Sequence, residues 1–159
     1  MTNLTELGLK YGTDKSENGY TKIYENFLSD KRDAKNNILE IGVWRGASLR
    51  MWSEYFPNSL ILGMDIPHEM YPESIFPYHD YEQRNNLIQS IENSGLFLGD
   101  QANPVHLDTM FEMIDETTGR DSVDIVILSK ISPIATSTRH YEKLRTHFSE
   151  IDLGRNLYY

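Results

Sequence analysis

The sequence predicts an α/β fold, a parallel sheet with helices packed on its faces, in which about four strands are recognisable. Three observations carry that expectation. Short apolar runs of strand length alternate with longer stretches whose apolar residues recur at helical spacing. The first run passes through Gly42-Val43-Trp44-Arg45-Gly46 into a helical pattern and then into a second run. Strand, glycine turn, helix and strand together make a βαβ unit, whose crossover is right-handed almost without exception.

Residues 2–15 are short and polar and end in Tyr11-Gly12-Thr13-Asp14-Lys15, where Gly12 permits a turn and Thr13 or Asp14 can cap the next helix. Tyr20, Ile23, Tyr24, Phe27 and Leu28 then make a single apolar stripe, which predicts a helix packed on the core. Residues 29–37 read as a surface loop. Ile38-Leu39-Glu40-Ile41 reads as a buried parallel strand ending at Gly42. Gly46 opens a helix with Leu49, Trp52 and Phe56 on one face, and Pro57 marks its end.

Residues 60–66 predict the second strand, and residues 67–81, rich in Pro, Tyr and His, an irregular loop over the sheet end. A weaker helix spans about Tyr81 to Glu92, and Leu96-Phe97-Leu98 leads into the turn Gly99-Asp100-Gln101. Asn103-Pro104 starts a helix faced by Leu107, Met110, Phe111 and Ile114, and Gly119 stops it. Residues 123–128 are the fourth strand. Beyond Leu128 no clear period continues, although Tyr141, Leu144 and Phe148 can share a helical face and residues 156–159 can form a stub of strand. The reading is one partial domain over residues 1–159: a lid or helical segment at 1–36, a binding core at 37–128 and an atypical tail at 129–159.

Composition narrows the function. The net charge of -9 argues against a binder of nucleic-acid phosphates and against an anionic membrane surface as partner. With no cysteine, thiolate zinc sites and cysteine nucleophiles are excluded, and the five histidines show no metal-ligand spacing and read as surface or loop residues. Neither a signal peptide nor a membrane-length apolar stretch is visible, so a cytoplasmic protein is expected.

In open α/β sheets, ligands sit beyond the carboxyl ends of the strands. Glu40, Asp65 and Asp100 lie at three such ends. A dinucleotide turn wants a middle glycine so that the backbone can reach a pyrophosphate, and that position is Trp44. A P-loop wants a lysine after Gly46, and Ala47 stands there. A phosphate-free nucleoside ligand tolerates the bulkier turn, and its ribose diol suits Asp65, 23 residues beyond Gly42. Each motif also has a plain structural reading: a buried strand with its turn for Glu40, Gly42 and Gly46, a cap for Asp65, and ordinary turns for Asp100-Gln101 and for Tyr11 to Lys15.

Tyr11-Gly12-Thr13-Asp14-Lys15, then Tyr20 and Tyr24, Leu39-Glu40-Ile41-Gly42, Ser48-Leu49-Arg50-Met51-Trp52, Phe56-Pro57, Leu62-Gly63-Met64-Asp65-Ile66 and Gly99-Asp100-Gln101 together resemble one known group. They are similar to the class I methyltransferases of the macrolide-sugar O-methyltransferase and cephalosporin-hydroxylase-like group, over about residues 7–128. The resemblance implies a Rossmann-like sheet, S-adenosylmethionine as cofactor and a sugar or natural-product hydroxyl as small-molecule acceptor. It implies that Glu40, Gly42 and Gly46 border the methionine end, that Asp65 holds the ribose and that Asp100 and Gln101 border the adenine. Tyr11, Thr13, Asp14 and Lys15 would fold over the cofactor as part of its lid.

Such proteins carry an Asp-Asp-Gly-Ser-His-like segment after the fourth strand, and some hold a magnesium ion there. Here the chain reads Leu128-Ser129-Lys130-Ile131-Ser132-Pro133, which leaves no recognisable magnesium site or catalytic residue. The expectation is a C-terminal half replaced by a frameshift or lost by truncation, which translation of the other two reading frames tests. A cofactor-binding remnant or interaction module without turnover is then the alternative function. A dinucleotide-binding oxidoreductase domain is weaker, because Trp44 opposes it. An incomplete sheet also leaves a strand edge open to a homo-oligomer or another partner.

Overall fold

The computed structural model describes residues 2–119 and 123–128. The expected tail features and the segment after Leu128 lie outside the described residues. Three helices come first, α1 (Leu4–Tyr11), α2 (Asp14–Glu17) and α3 (Tyr20–Leu28). The alternating part comprises β1 (Asn37–Ile41), α4 (Ala47–Tyr55), β2 (Leu60–Asp65), α5 (Tyr78–Gln89), β3 (Ser94–Leu98), α6 (Pro104–Thr118) and β4 (Ile125–Leu128).

The strands form one parallel sheet in the order β3-β2-β1-β4. Strand order therefore reverses between β1 and β4, and the crevice beyond the carboxyl end of β1 is where this architecture receives ligands. Side chains alternate across the pleat, so each strand feeds two layers. Ile38 and Ile61 join a cluster with Leu4, Leu7, Leu49, Trp52, Phe56 and Ile88, which places α1, α4 and α5 on that face. Leu39, Ile41 and Met64 join Leu107, Met110, Phe111 and Ile114 of α6 on the other. Strands buried on both faces explain why these runs are continuously apolar rather than alternating. The layering matches the α/β expectation. Among the described residues no helix is long and apolar enough to cross a membrane.

Two differences from the sequence reading stand out. The polar-looking N-terminus forms α1, whose start is a capping box: the Asn3 side chain accepts from Glu6 N, and the Glu6 carboxylate accepts from Asn3 N. Leu4 and Leu7 on this helix are fully buried. The stripe on α3, by contrast, is not a core face. Phe27 is 61% exposed, Tyr20 and Ile23 are exposed too, and only Leu28 is buried, with Tyr24 packed edge-on to Trp52 at 5.5 Å. The helix forms as expected, but most of its apolar residues face away from the sheet.

Gly63 in β2 sets how closely the turn after β1 approaches. A Cβ there would lie 2.6 Å from Val43 Cγ2 and 2.8 Å from Leu49 Cδ1, closer than carbon atoms pack. The absent side chain lets the turn and the start of α4 lie directly on the sheet.

Candidate cofactor site

Alternation decides which way each acid faces. Glu40 shares parity with Ile38 and therefore faces the layer of α1 and α4 rather than solvent. It is fully buried. Its Oε1 lies 2.6 Å from Lys15 Nζ, and its Oε2 accepts from Ser48 Oγ at 2.7 Å. A buried carboxylate needs such partners, and one comes from the first turn of α4. The other comes from the Tyr-Gly-Thr-Asp-Lys segment. Thr13 caps α2, its side chain accepting from Lys15 N, and so carries Lys15 inward, where its side chain is 7% exposed. Gly12 ends α1 in the left-handed region at φ 68°. Tyr11 donates its hydroxyl to Glu54 of α4, while Asp14 is exposed at the start of α2. Of this segment, then, Lys15 reaches the sheet end directly, and Tyr11 anchors the segment to α4.

The Glu40 charge also acts on Tyr24, whose hydroxyl is pushed up to about 12, first by burial and then by that charge.

The turn itself has Gly42 at φ 84° and Gly46 at φ 80°, both in the region that favours glycine. Trp44 adopts φ 55°, the one non-glycine residue in this region among those described. Such a conformation in a bulky residue is strained and persists where its surroundings hold it. Here they do. Trp44 N and Val43 N both donate to Asp65 Oδ2, at 2.9 and 3.1 Å, and the indole stacks on Phe76 with centroids 4.8 Å apart.

Asp65 has the same parity as Ile61 and faces the α5 side. Arg84 of α5 is 1% exposed and donates from Nη1 to Asp65 Oδ2 at 3.0 Å. Its guanidinium lies over the rings of Tyr81 and Phe76, at 4.4 and 5.3 Å from their centroids. Asp65 Oδ1 accepts from Ile66 N at 2.9 Å and from the Tyr71 hydroxyl at 2.5 Å. Burial, then the bond to Asp65, raise the Tyr71 hydroxyl well above the ordinary tyrosine value.

Beyond β3, Asp100 caps its own turn, Oδ1 accepting from Ala102 N at 2.8 Å. Asp100 N donates to His106 Nδ1 at 2.9 Å, so His106 holds this turn from α6 and is not the surface or loop residue expected. Gln101 is half-buried beside it. Gly99 N donates to Asp65 O, tying the second and third strand ends together. Glu40, Asp65 and Asp100 thus lie along a single carboxyl edge of the parallel sheet.

The sequence reading missed Ser48, Tyr71, Arg84 and His106. Arg84 left a signal: Tyr81, Arg84 and Ile88 occupy one stripe of α5, an arginine at a position meant for core residues. Tyr71 left none, because its loop has no periodicity.

Curated proteins and solved structures are similar to part of this chain. Over 105 aligned residues the chain is 34% identical to mycinamicin VI 2''-O-methyltransferase of Micromonospora griseorubida, an alignment covering 60% of this chain and 24% of that protein. It is 40% identical over 72 residues to L-olivosyl-oleandolide 3-O-methyltransferase of Streptomyces antibioticus, covering 40% of this chain and 19% of the relative. Residues of this chain match part of the macrolide-sugar O-methyltransferases. The MycE methyltransferase of the mycinamycin biosynthetic pathway, solved with Mg, SAH and mycinamycin VI, superposes with a TM-score of 0.55 at 26% identity. That match covers 92% of this chain and 32% of MycE. The chain thus spans about a fifth to a third of the relatives it matches. No protein-family model matches it.

The described residues suit a nucleoside ligand better than a metal. The buried Arg84 guanidinium, whose Nη2 lacks an acceptor, fits a ligand that brings a hydroxyl oxygen. No group of three or more His, Asp or Glu among the described residues is arranged to hold a metal ion, so they do not fit magnesium.

Proposed function

We propose that this chain binds S-adenosylmethionine beyond the carboxyl ends of β1 and β2 and serves O-methylation of a sugar or natural-product hydroxyl. Glu40, Gly42 and Gly46 border the methionine end in this reading, Asp65 takes the ribose, and Asp100 with Gln101 borders the adenine. Tyr11, Thr13, Asp14 and Lys15 close over the site from the N-terminal side. The observation that carries the reading is the convergence of Glu40, Asp65 and Asp100 on one sheet edge, around a glycine turn whose middle residue is Trp44. Trp44 leaves no room for the backbone to approach a pyrophosphate, which favours a phosphate-free nucleoside over a dinucleotide.

The bound cofactor supplies an electrophilic methyl group on a sulfonium, and the chain's residues supply position. Lys15 neutralises Glu40 and keeps it fixed at the turn. Arg84 does the same for Asp65. Two relatives named for macrolide or sugar O-methylation support the acceptor class.

Calorimetry with S-adenosylhomocysteine tests the reading. Saturable binding below millimolar ligand is expected, and no heat of binding at millimolar ligand overturns it. Binding without methyl transfer to any hydroxyl acceptor would leave a cofactor-binding module and overturn the catalytic half.

A further inference from the structure

The Asp65 carboxylate has no acceptor capacity left. Five donors converge on it: Val43 N, Trp44 N and Arg84 Nη1 on Oδ2, and Ile66 N and the Tyr71 hydroxyl on Oδ1. A carboxylate offers about four lone-pair positions. A diol that is to donate to Asp65 must therefore displace one of these donors. Three are backbone amides fixed by the turn and the strand end. The fourth belongs to an arginine sealed at 1% exposure against two aromatic rings. The fifth is a phenol on the irregular segment before α5, half-buried and reached from outside.

We propose that the Tyr71 hydroxyl is an internal stand-in for a ribose hydroxyl, exchanged for the ligand's diol when a nucleoside binds, so that Tyr71 sets both affinity and selectivity for a vicinal diol at Asp65. This rests on the cofactor reading above. The exchange is chemically like for like, because one O–H donor on Oδ1 replaces another. Something is also left over for the incoming ligand: Arg84 Nη2 is buried and without an acceptor, so the network lacks one oxygen that a diol would bring. Tyr71 does not leave alone. Its ring packs edge-on to Phe76 at 5.0 Å and to Trp44 at 6.1 Å, so its departure changes the surroundings of the Trp44 indole.

The test compares the full chain with Tyr71→Phe, which keeps the ring packing and removes the competing hydroxyl. Calorimetry with S-adenosylhomocysteine is expected to show the variant binding about five- to tenfold tighter, the fold-change of one net hydrogen bond. Adenosine should show the same gain and 2′,3′-dideoxyadenosine none. Equal or weaker binding by the variant, while the native chain binds, overturns the inference and leaves the cofactor reading standing. A gain that persists with the dideoxy nucleoside also overturns it, because the loop would then merely have loosened. If neither protein binds S-adenosylhomocysteine, the cofactor reading fails and this inference with it. The native chain gives an independent measurement should the variant not fold. Trp52 is fully buried and Trp44 is 43% exposed, so quenchable tryptophan emission reports Trp44. That emission should change on ligand saturation, and an unchanged signal with bound ligand overturns the exchange.

Discussion

Glu40 is a fully buried carboxylate whose partners, Lys15 and Ser48, come from opposite sides of the turn. Taking both charges out of water is expensive, and their attraction repays that cost only while both remain. Lys15→Met is therefore expected to cost about 3–5 kcal/mol, since it strands a charge in the interior. Combining it with Glu40→Gln should recover a large part of that loss. Denaturant midpoints of the two variants check this; a single variant as stable as the native chain would mean that Glu40 finds another partner. Asp65 obeys the same logic, with Arg84 in place of lysine. Both acids were legible in the sequence, because an ionisable residue inside an apolar run must be paired or bind something. Their partners were not. Arg84 is 19 residues from Asp65 and Lys15 is 25 from Glu40, and only the folded chain brings them together.

At the scale of elements, α3 shows what periodicity can and cannot say. The spacing of Tyr20, Ile23, Tyr24, Phe27 and Leu28 places them on one side of a helix, which is correct. It says nothing of what lies against that side. Adjacent positions should therefore respond very differently. Phe27→Ala is expected to change stability by less than about 0.5 kcal/mol, whereas Leu28→Ala should cost about 2–5 kcal/mol. Thermal or urea unfolding of the pair checks it, and equal losses would place Phe27 in a packed environment. α1 is the converse case. The Asn3 to Glu6 spacing and the two buried leucines were readable as a capped amphipathic helix, but so short a segment offers little pattern.

On the scale of the whole molecule, the sheet was legible because parallel strands with helices on their faces leave largely apolar runs, as in β1 and β4. The site edge was legible too, since Glu40 interrupts the β1 run near its end, Asp65 ends β2 and Asp100 follows β3. The aromatic and arginine network around Asp65 was not, because it assembles from a loop and a helix without a shared period. Burial of tyrosine hydroxyls gives the fold a collective response to alkali. Tyr24 is raised from 10.0 to about 12, and Tyr55 and Tyr71 are raised as well, each first by burial. The folded chain then holds protons that the unfolded chain has released, so this stability is present below pH 10 and is lost as pH rises toward 12. Denaturant midpoints measured across that window should fall, and Tyr24→Phe should make the fall shallower. A midpoint independent of pH there would show that these hydroxyls ionise freely in the folded chain.

The missing side chain at position 63 has a reach beyond its own strand. Val43 and Trp44 can hold Asp65 through their amides only because the turn sits flush on β2, and it does so because Gly63 presents nothing but backbone. One methyl group at that point would raise the turn like a shim under a hinge. The carboxylate would lose two of its anchors, and an apolar change deep in the sheet would register at the ligand as though a polar contact had been cut.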